Sequence, residues 1–200
     1  MTEFREDWFS YNIENWEKIF HNVQWDVGLK KTVVEIGSFE GRSSVWILEN
    51  LLKNPDSVMH CIDTFEGGQE YSFEQVDGLY DRFLKNIASA GGSRKVIVHR
   101  TLSIRALTNL MAANCTADFV YVDGSHEAPD VLGDLVLSFA MLKKGGVIIC
   151  DDYLWNVGDR FRNDLIQSPK IAIDSFTNIF HKQIEIFRDQ SLYQLAFRKI

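Results

Sequence analysis

Short apolar runs alternate along the chain with longer segments whose apolar residues recur at helical spacing. The runs that predict strands are residues 32–36, 58–62, 95–99, 118–122 and 147–150. The segments that predict helices are residues 43–53, 73–90, 104–113 and 130–142. Near-continuous Val and Ile runs that alternate with helices are typical of a parallel sheet covered on both faces. The pattern therefore predicts an α/β fold.

The two ends of the chain follow different patterns. Residues 183–187 and 192–197 flank the polar turn 188–191, which predicts an antiparallel hairpin at one edge of the sheet. Residues 11–23 predict an amphipathic helix, interpreted as a lid over a substrate, a homodimer contact or simple packing on the domain. Without repeats or linkers, the chain is predicted to be one domain, with a helical cap at 1–31 and an α/β core at 32–200.

Composition narrows the classes of partner. The 200 residues are 46% hydrophobic and 24% charged, and no apolar run approaches the roughly 20 residues that span a bilayer. A net charge of −7 argues against a nucleic-acid surface, which needs clustered Lys and Arg. The cysteines Cys61, Cys115 and Cys150 have no metal-site spacing and indicate free thiols in a reducing compartment. We expect a cytoplasmic protein with a small-molecule partner.

A glycine turn follows the first predicted strand and leads into a hydroxyl-rich helix. Such a turn brings backbone N–H groups and a helix N-terminus to a nucleotide-like ligand, either NAD or S-adenosylmethionine. Phe39 stands where a dinucleotide fingerprint needs its second glycine, between Gly37 and Gly41. The turn therefore favours a ligand with a ribose and an amino-acid tail but no phosphate. Glu35, at the end of the strand, is a candidate to hold the ammonium group of that tail.

Acidic residues follow four of the five predicted parallel strands, at the edge of the sheet where ligands bind. Asp63 follows Gly41 at the spacing of an acid that grips both ribose hydroxyls, with helix capping as the alternative. Asp123, Asp151 and Asp152 are expected to converge and bind a hard cation such as Mg²⁺. The alternative is that Asp151 or Asp152 caps a segment or pairs with a lysine.

One histidine lies beside these acids. His126 comes three residues after Asp123 and is a candidate general base for a substrate hydroxyl; the alternative is a structural histidine. The other histidines do not lie beside this group of acids and are expected to be structural or exposed: His21, His60, His99 and His181.

Together these motifs resemble the class I S-adenosylmethionine-dependent methyltransferases. The similarity is greatest to the small-molecule O-methyltransferases, which include catechol-type and metal-dependent macrolide-sugar enzymes. The stretches that carry the resemblance begin at Glu35, Cys61, Tyr121 and Gly145, and they read E-I-G-S-F-E-G-R-S, C-I-D-T-F, Y-V-D-G-S-H and G-G-V-I-I-C-D-D-Y. His126 and Asp152 stand where catechol-type enzymes have lysine and asparagine, which places the chain nearer the sugar-modifying branch.

The resemblance implies a Rossmann-like, doubly wound, mostly parallel seven-stranded sheet that ends in the antiparallel hairpin. It also implies an enzyme, an O-methyltransferase that uses S-adenosylmethionine and Mg²⁺. The implied cofactor-binding residues are Glu35, Gly37, Ser38, Gly41, Ser43, Asp63, Ser103 and Asp123, with Gly37, Ser38 and Gly41 at the methionine, Asp63 at the ribose and Ser103 at the adenine. The implied metal ligands are Asp123, Asp151 and Asp152, and the catalytic residues are His126 and Asp123.

The predicted reaction is direct displacement, with a metal-bound substrate hydroxyl losing its proton to His126. Residues 67–71 and 153–161 are expected to contact the substrate, and Trp155 either gates the pocket or packs within it. Three alternatives stay open at this point: a metal-independent methyltransferase, an NAD-dependent oxidoreductase and a binding module without catalysis.

Overall fold

Parallel strands form the centre of the fold in the computed structural model, which describes residues 2–68, 72–155, 165–188 and 191–200. The strands are β1 (Thr32–Ile36), β2 (Val58–Asp63), β3 (Val96–Arg100), β4 (Ala117–Val122), β5 (Leu142–Cys150), β6 (Ile184–Ile186) and β7 (Leu195–Lys199). They form a seven-stranded sheet of order β3-β2-β1-β4-β5-β7-β6. The predicted α/β fold with a mostly parallel sheet and an antiparallel end is confirmed.

The helices of the described residues lie between these strands and at the N-terminus. They are α1 (Ile13–Asn22), α2 (Arg42–Asn50), α3 (Phe73–Val76), α4 (Leu79–Ser89), α5 (Ser103–Ala112), α6 (Ala128–Met141) and α7 (Pro169–Ile179), with 3₁₀ turns at Ser10–Asn12, Gly92–Arg94 and Leu165–Gln167. The chain divides into two compact units, residues 1–101 and 102–200.

The first unit contains the parallel strands β1, β2 and β3. Val33 and Val34 of β1 and Met59 of β2 are completely buried, as expected for strands covered on both faces. The single helix predicted over residues 73–90 is wrong in one respect, because α3 and α4 are separate helices. Gly78 lies between them with φ 67°, a left-handed conformation that interrupts the helix at little cost for glycine.

The predicted N-terminal helix is present as α1 with a 3₁₀ turn before it. Trp16 is fully buried, and its ring lies 4.9 Å from that of Phe9 and 5.5 Å from that of Trp46 on α2. Aromatic contacts of this kind stabilise the packing of α1 against the rest of its unit. They support the packing interpretation, while the lid and homodimer interpretations stay predictions.

The second unit pairs β4 and β5 in parallel and adds β7 antiparallel to both β5 and β6. The predicted hairpin is therefore confirmed, although residues 189 and 190 of its turn lie outside the described residues. Helix α7 was not predicted. Its start has a sequence signal, Ser168 followed by Pro169 at the first helical position, and its apolar residues Ile173 and Phe176 are buried.

The three cysteines form no disulfide with one another. Cys61 and Cys150 are buried, and Cys115 is partly exposed. Among the helices that the structure describes, none is long and apolar enough to cross a bilayer.

Candidate active site

The glycine turn after β1 adopts a tight, left-handed path. Gly37, Phe39 and Gly41 have φ values of 83°, 45° and 82°, and the Gly37 N–H donates to the Ile62 carbonyl at 2.8 Å. A Cβ at Gly41 would lie 3.0 Å from the Phe83 ring. Gly41 is therefore required by both its conformation and its surroundings, whereas Phe39 adopts a conformation that is unusual for a bulky residue.

Asp63 holds this turn in place. Its Oδ2 accepts the backbone N–H groups of Ser38 and Phe39, both at 2.8 Å, and its Oδ1 accepts that of Phe65 at 2.7 Å. A carboxylate has about four lone-pair positions, so these bonds leave roughly one for a ligand. In this structure Asp63 stabilises the glycine turn, and its predicted contact with a ribose stays a prediction.

Glu35 lies at the centre of a buried hydroxyl cluster. It is fully buried and accepts hydrogen bonds from Ser38 and Ser43, both at 2.7 Å, and from Ser44. Burial raises the pKa of the Glu35 carboxyl, and the three serine hydroxyls partly oppose that shift. The cluster connects the end of β1 to the start of α2. Because the Ser43 hydroxyl donates its hydrogen bond to Glu35, the predicted ligand contacts of these two residues stay predictions.

The N-terminal segment packs beside this turn, a contact that the sequence did not predict. Glu40 is 1% exposed and accepts hydrogen bonds from the Arg82 guanidinium at 2.6 Å and the Arg5 backbone N–H at 2.7 Å. The Trp8 ring lies 5.0 Å from the Phe39 ring. These contacts hold the N-terminal segment against the glycine turn. No pattern in the sequence pairs them, because the partners are more than 30 residues apart.

In the second unit, His126 and Asp152 form a hydrogen-bonded pair. His126 Nε2 lies 2.8 Å from Asp152 Oδ2, and the His126 ring lies 3.8 Å from the Trp155 ring at an interplanar angle of 35°. An ionised carboxylate only accepts hydrogen bonds, so Nε2 carries the proton and Nδ1 carries the lone pair. Trp155 acts as a wall that limits rotation of the imidazole.

The turn after β5 orients Asp152. This residue has φ 54°, which costs energy for a residue other than glycine and persists only where neighbouring contacts impose it. The next residue, Tyr153, makes these contacts. The Tyr153 N–H donates to the Tyr193 carbonyl at 2.8 Å, and its hydroxyl donates to Asp174 at 2.7 Å and accepts from Lys170 at 2.6 Å.

The predicted Mg²⁺ site is not supported. Asp151 is buried, and its carboxylate accepts hydrogen bonds from the Tyr121 hydroxyl, from Gln194 at 2.8 Å and from the Asp152 N–H at 2.8 Å. Asp152 binds His126 instead, and Asp123 is near enough for its charge to raise the pKa of Tyr121. Over the ranges that the structure describes, no three His, Cys, Asp or Glu side chains group to hold a metal.

Asp151 is instead a buried structural acid. Burial raises its pKa to about 6, and the adjacent Asp152 charge adds to that shift. The Tyr121 and Gln194 bonds connect the end of β5 with β4 and with the segment before β7. The three acids were expected to share one cation, but Asp151 and Asp152 hydrogen-bond to different partners, and the side chains of the described residues do not group to hold an ion.

Ser103, predicted at the adenine, begins α5 and hydrogen-bonds Asp134 of α6. Asp134 is 2% exposed, and burial, with the Asp130 charge, raises its pKa to about 7. Its pKa lies above the unfolded value, so the folded state binds more protons than the unfolded state between about pH 4 and pH 7. The contribution of Asp134 to stability is complete below that window and is lost as the pH rises through it.

Asp134→Asn is therefore expected to be more stable than the wild type at pH 8, by up to roughly 4 kcal/mol, and to lose less stability between pH 5 and pH 8. Asparagine keeps an acceptor for Ser103 and cannot ionise. Urea unfolding across this range measures the effect, with Asp81→Asn, an exposed acid in the first turn of α4, as the control. Parallel pH profiles for wild type and Asp134→Asn would contradict the assignment.

The predicted substrate segments are only partly described. Residues 69–71 and 156–161 lie outside the described residues, and Trp155 is the last residue described before the second gap.

Residues 34–153 match the model of a family described as "Methyltransferase domain". Among curated proteins, none matches the sequence.

Solved structures share the fold. The O-methyltransferase TomG from Streptomyces achromogenes, involved in tomaymycin synthesis and in complex with SAM, is 18% identical, with 92% of this chain and 80% of that chain covered and a TM-score of 0.67. An O-methyltransferase from Bacillus cereus in complex with SAH is 16% identical, with 96% and 92% covered and a TM-score of 0.60. CalS11, a TDP-rhamnose 3'-O-methyltransferase of calicheamicin biosynthesis, is 12% identical, with 95% and 80% covered and a TM-score of 0.63.

Proposed function

Because the chain belongs to the methyltransferase-domain family, we propose that it transfers a methyl group from S-adenosylmethionine to a hydroxyl of a small molecule. The observation that carries this proposal is the His126–Asp152 pair. A hydroxyl is a weak nucleophile until a base removes its proton, and a histidine held by a carboxylate is suited to that task.

Asp152 sets the tautomer of His126. Its carboxylate accepts a hydrogen bond from the Nε2–H group, and the proton stays on Nε2. Nδ1 is therefore the atom to which the substrate hydroxyl transfers its proton. The imidazolium formed in this way is stabilised by the adjacent carboxylate. Trp155 against the ring and the anchored turn at Tyr153 hold both partners in position before substrate binds.

The first unit supplies the cofactor site in this proposal. The glycine turn, shaped by Asp63, presents backbone groups to the methionine part of S-adenosylmethionine. Phe39 at the centre of the turn, contacted by Trp8, leaves little room for a pyrophosphate, which favours this cofactor over NAD.

The chemistry balances without a metal ion. The substrate oxygen forms a bond to the methyl carbon while the carbon–sulfur bond breaks, and its electron pair stays on sulfur. The products are the methyl ether, neutral S-adenosylhomocysteine and one proton, which leaves through His126. A non-catalytic binding module would not need the oriented imidazole of His126, and this favours an enzyme.

The experiment that tests the proposal uses methyl-labelled S-adenosylmethionine and matched small molecules that carry hydroxyl, amine or activated-carbon acceptors. We expect label on the oxygen of at least one hydroxyl compound, identified by mass spectrometry of the product. Label only on nitrogen or carbon would contradict the proposal, because His126 would then have been assigned to the wrong acceptor chemistry.

A further inference from the structure

A pair of histidines lies on two neighbouring strands of the first unit. His60 is on β2 and His99 is on the edge strand β3, where Ile62 is the register partner of His99. Because side chains alternate along a strand, His60 and His99 lie on the same face of the sheet. His60 Nδ1 is 3.0 Å from His99 Nε2.

One proton is shared between these two nitrogens. A hydrogen bond between imidazoles needs one donor and one acceptor, and two neutral rings meet this need with one N–H and one lone pair. Burial and the neighbouring ring lower the pKa of His60 to about 4, and burial also lowers the pKa of His99. Near neutral pH, the two rings are therefore in the form that binds metal ions.

The separation of the nitrogens matches that of a chelate. Zn²⁺ binds imidazole nitrogen at about 2.0–2.1 Å, so two ligands at angles of 90° to 109° lie roughly 2.9–3.4 Å apart. The His60–His99 separation of 3.0 Å falls within this range. We propose that His60 and His99 form a two-histidine chelate for a divalent transition-metal ion of the Zn²⁺ class.

Water completes the coordination in this proposal. His99 is only partly buried, and Ile97 beside it on the edge strand is 47% exposed, so solvent reaches this side of the pair. The shared proton does not have to leave the protein. It moves to the other nitrogen of its own ring, so each imidazole stays neutral while Nδ1 of His60 and Nε2 of His99 bind the ion. Imidazole ligands favour Zn²⁺, Cu²⁺ and Ni²⁺ over Mg²⁺ or Ca²⁺.

The test is a calorimetric titration of the protein with Zn²⁺ at pH 7.5, using the full-length protein after EDTA treatment and dialysis. We expect one equivalent of Zn²⁺ in the wild type, at least 10-fold weaker binding in His60→Gln and in His99→Gln, and no change in the exposed control His181→Gln. Zn²⁺ should also raise the melting temperature of the wild type more than that of His99→Gln. His99 is the more exposed of the pair, so His99→Gln keeps the test valid if His60→Gln does not fold.

His126→Gln separates this site from the proposed active site. If His126→Gln loses the Zn²⁺ equivalent while His99→Gln keeps wild-type affinity, the ion binds elsewhere and the proposal is overturned. Equal Zn²⁺ affinity in the wild type and His99→Gln overturns it as well, and the pair is then a hydrogen bond between β2 and β3 only. Methyl transfer is not measured here, so neither outcome depends on the proposed function.

Discussion

His126→Gln is expected to lower kcat for methyl transfer by about 10²–10⁴-fold, with little change in the affinity for S-adenosylmethionine. The variant removes the group that accepts the hydroxyl proton, and general base catalysis contributes this much in enzymes. Glutamine can still hydrogen-bond Asp152, whose Oδ2 lies 2.8 Å from the histidine in the wild type, so the turn should keep its shape. Steady-state kinetics and cofactor titration of the same samples measure both quantities.

A double-variant comparison distinguishes a base from a structural histidine. Asp152→Asn should lower kcat by about 10-fold or more, because the amide no longer enforces the Nε2–H tautomer. Residues that act as a unit are not additive, so the double variant should be about as slow as His126→Gln alone. His181→Gln, an exposed histidine at the end of α7, should keep wild-type kinetics. Unaltered kcat in His126→Gln would contradict the role of this residue.

Asp63→Ala is expected to weaken binding of S-adenosylmethionine by about 100-fold or more. The carboxylate accepts three backbone N–H groups, from Ser38, Phe39 and Phe65. Hydrogen bonds to a charged group contribute about 1.5–3 kcal/mol each, and a tenfold change in affinity corresponds to about 1.4 kcal/mol. Losing the order of the glycine turn thus accounts for a large effect even if the ligand never touches Asp63.

The conservative variant and a control sharpen this result. Asp63→Asn keeps one oxygen that can accept the Ser38 and Phe39 amides but presents an NH₂ group to Phe65, so its affinity should be intermediate. Asp81→Asn, an exposed acid in the first turn of α4, should bind the cofactor like the wild type. Calorimetry measures binding, and thermal unfolding without ligand reports how much of the loss is a loss of stability. Wild-type affinity in Asp63→Ala would be evidence against this role of the turn.

The sequence predicted the central strands β1 and β4 well because their residues are buried on both faces. The predicted bounds of β1 match the observed ones, and those of β2 and β3 differ by one residue. The break between α3 and α4 was missed, since apolar residues keep their helical spacing across it, and the interruption lies in the backbone of Asp77, with ψ 121°, and of Gly78, with φ 67°. Local periodicity predicts elements, but it does not report single backbone conformations.

The sequence predicted which residues belong to the candidate site, but it did not predict their hydrogen-bond partners. His126 and the acids were identified from their positions at strand ends. The pairing of Asp152 with His126 depends on its left-handed φ of 54°, and that of Asp151 on Tyr121 and Gln194, which are 30 and 43 residues away. Three carboxylates at neighbouring strand ends suggested one cation, whereas the hydrogen bonds of Asp151 and Asp152 assign these two acids to different partners.

The central claim is that His126, oriented by Asp152, removes the hydroxyl proton without help from a bound cation. Initial rates of methyl transfer measured with excess EDTA, and then with added Mg²⁺, test it most directly once a hydroxyl acceptor is in hand. The account predicts the same kcat in both conditions, because the Asp151 and Asp152 carboxylates are engaged by Tyr121, Gln194 and His126. Activity that disappears with EDTA and returns with Mg²⁺ would contradict it.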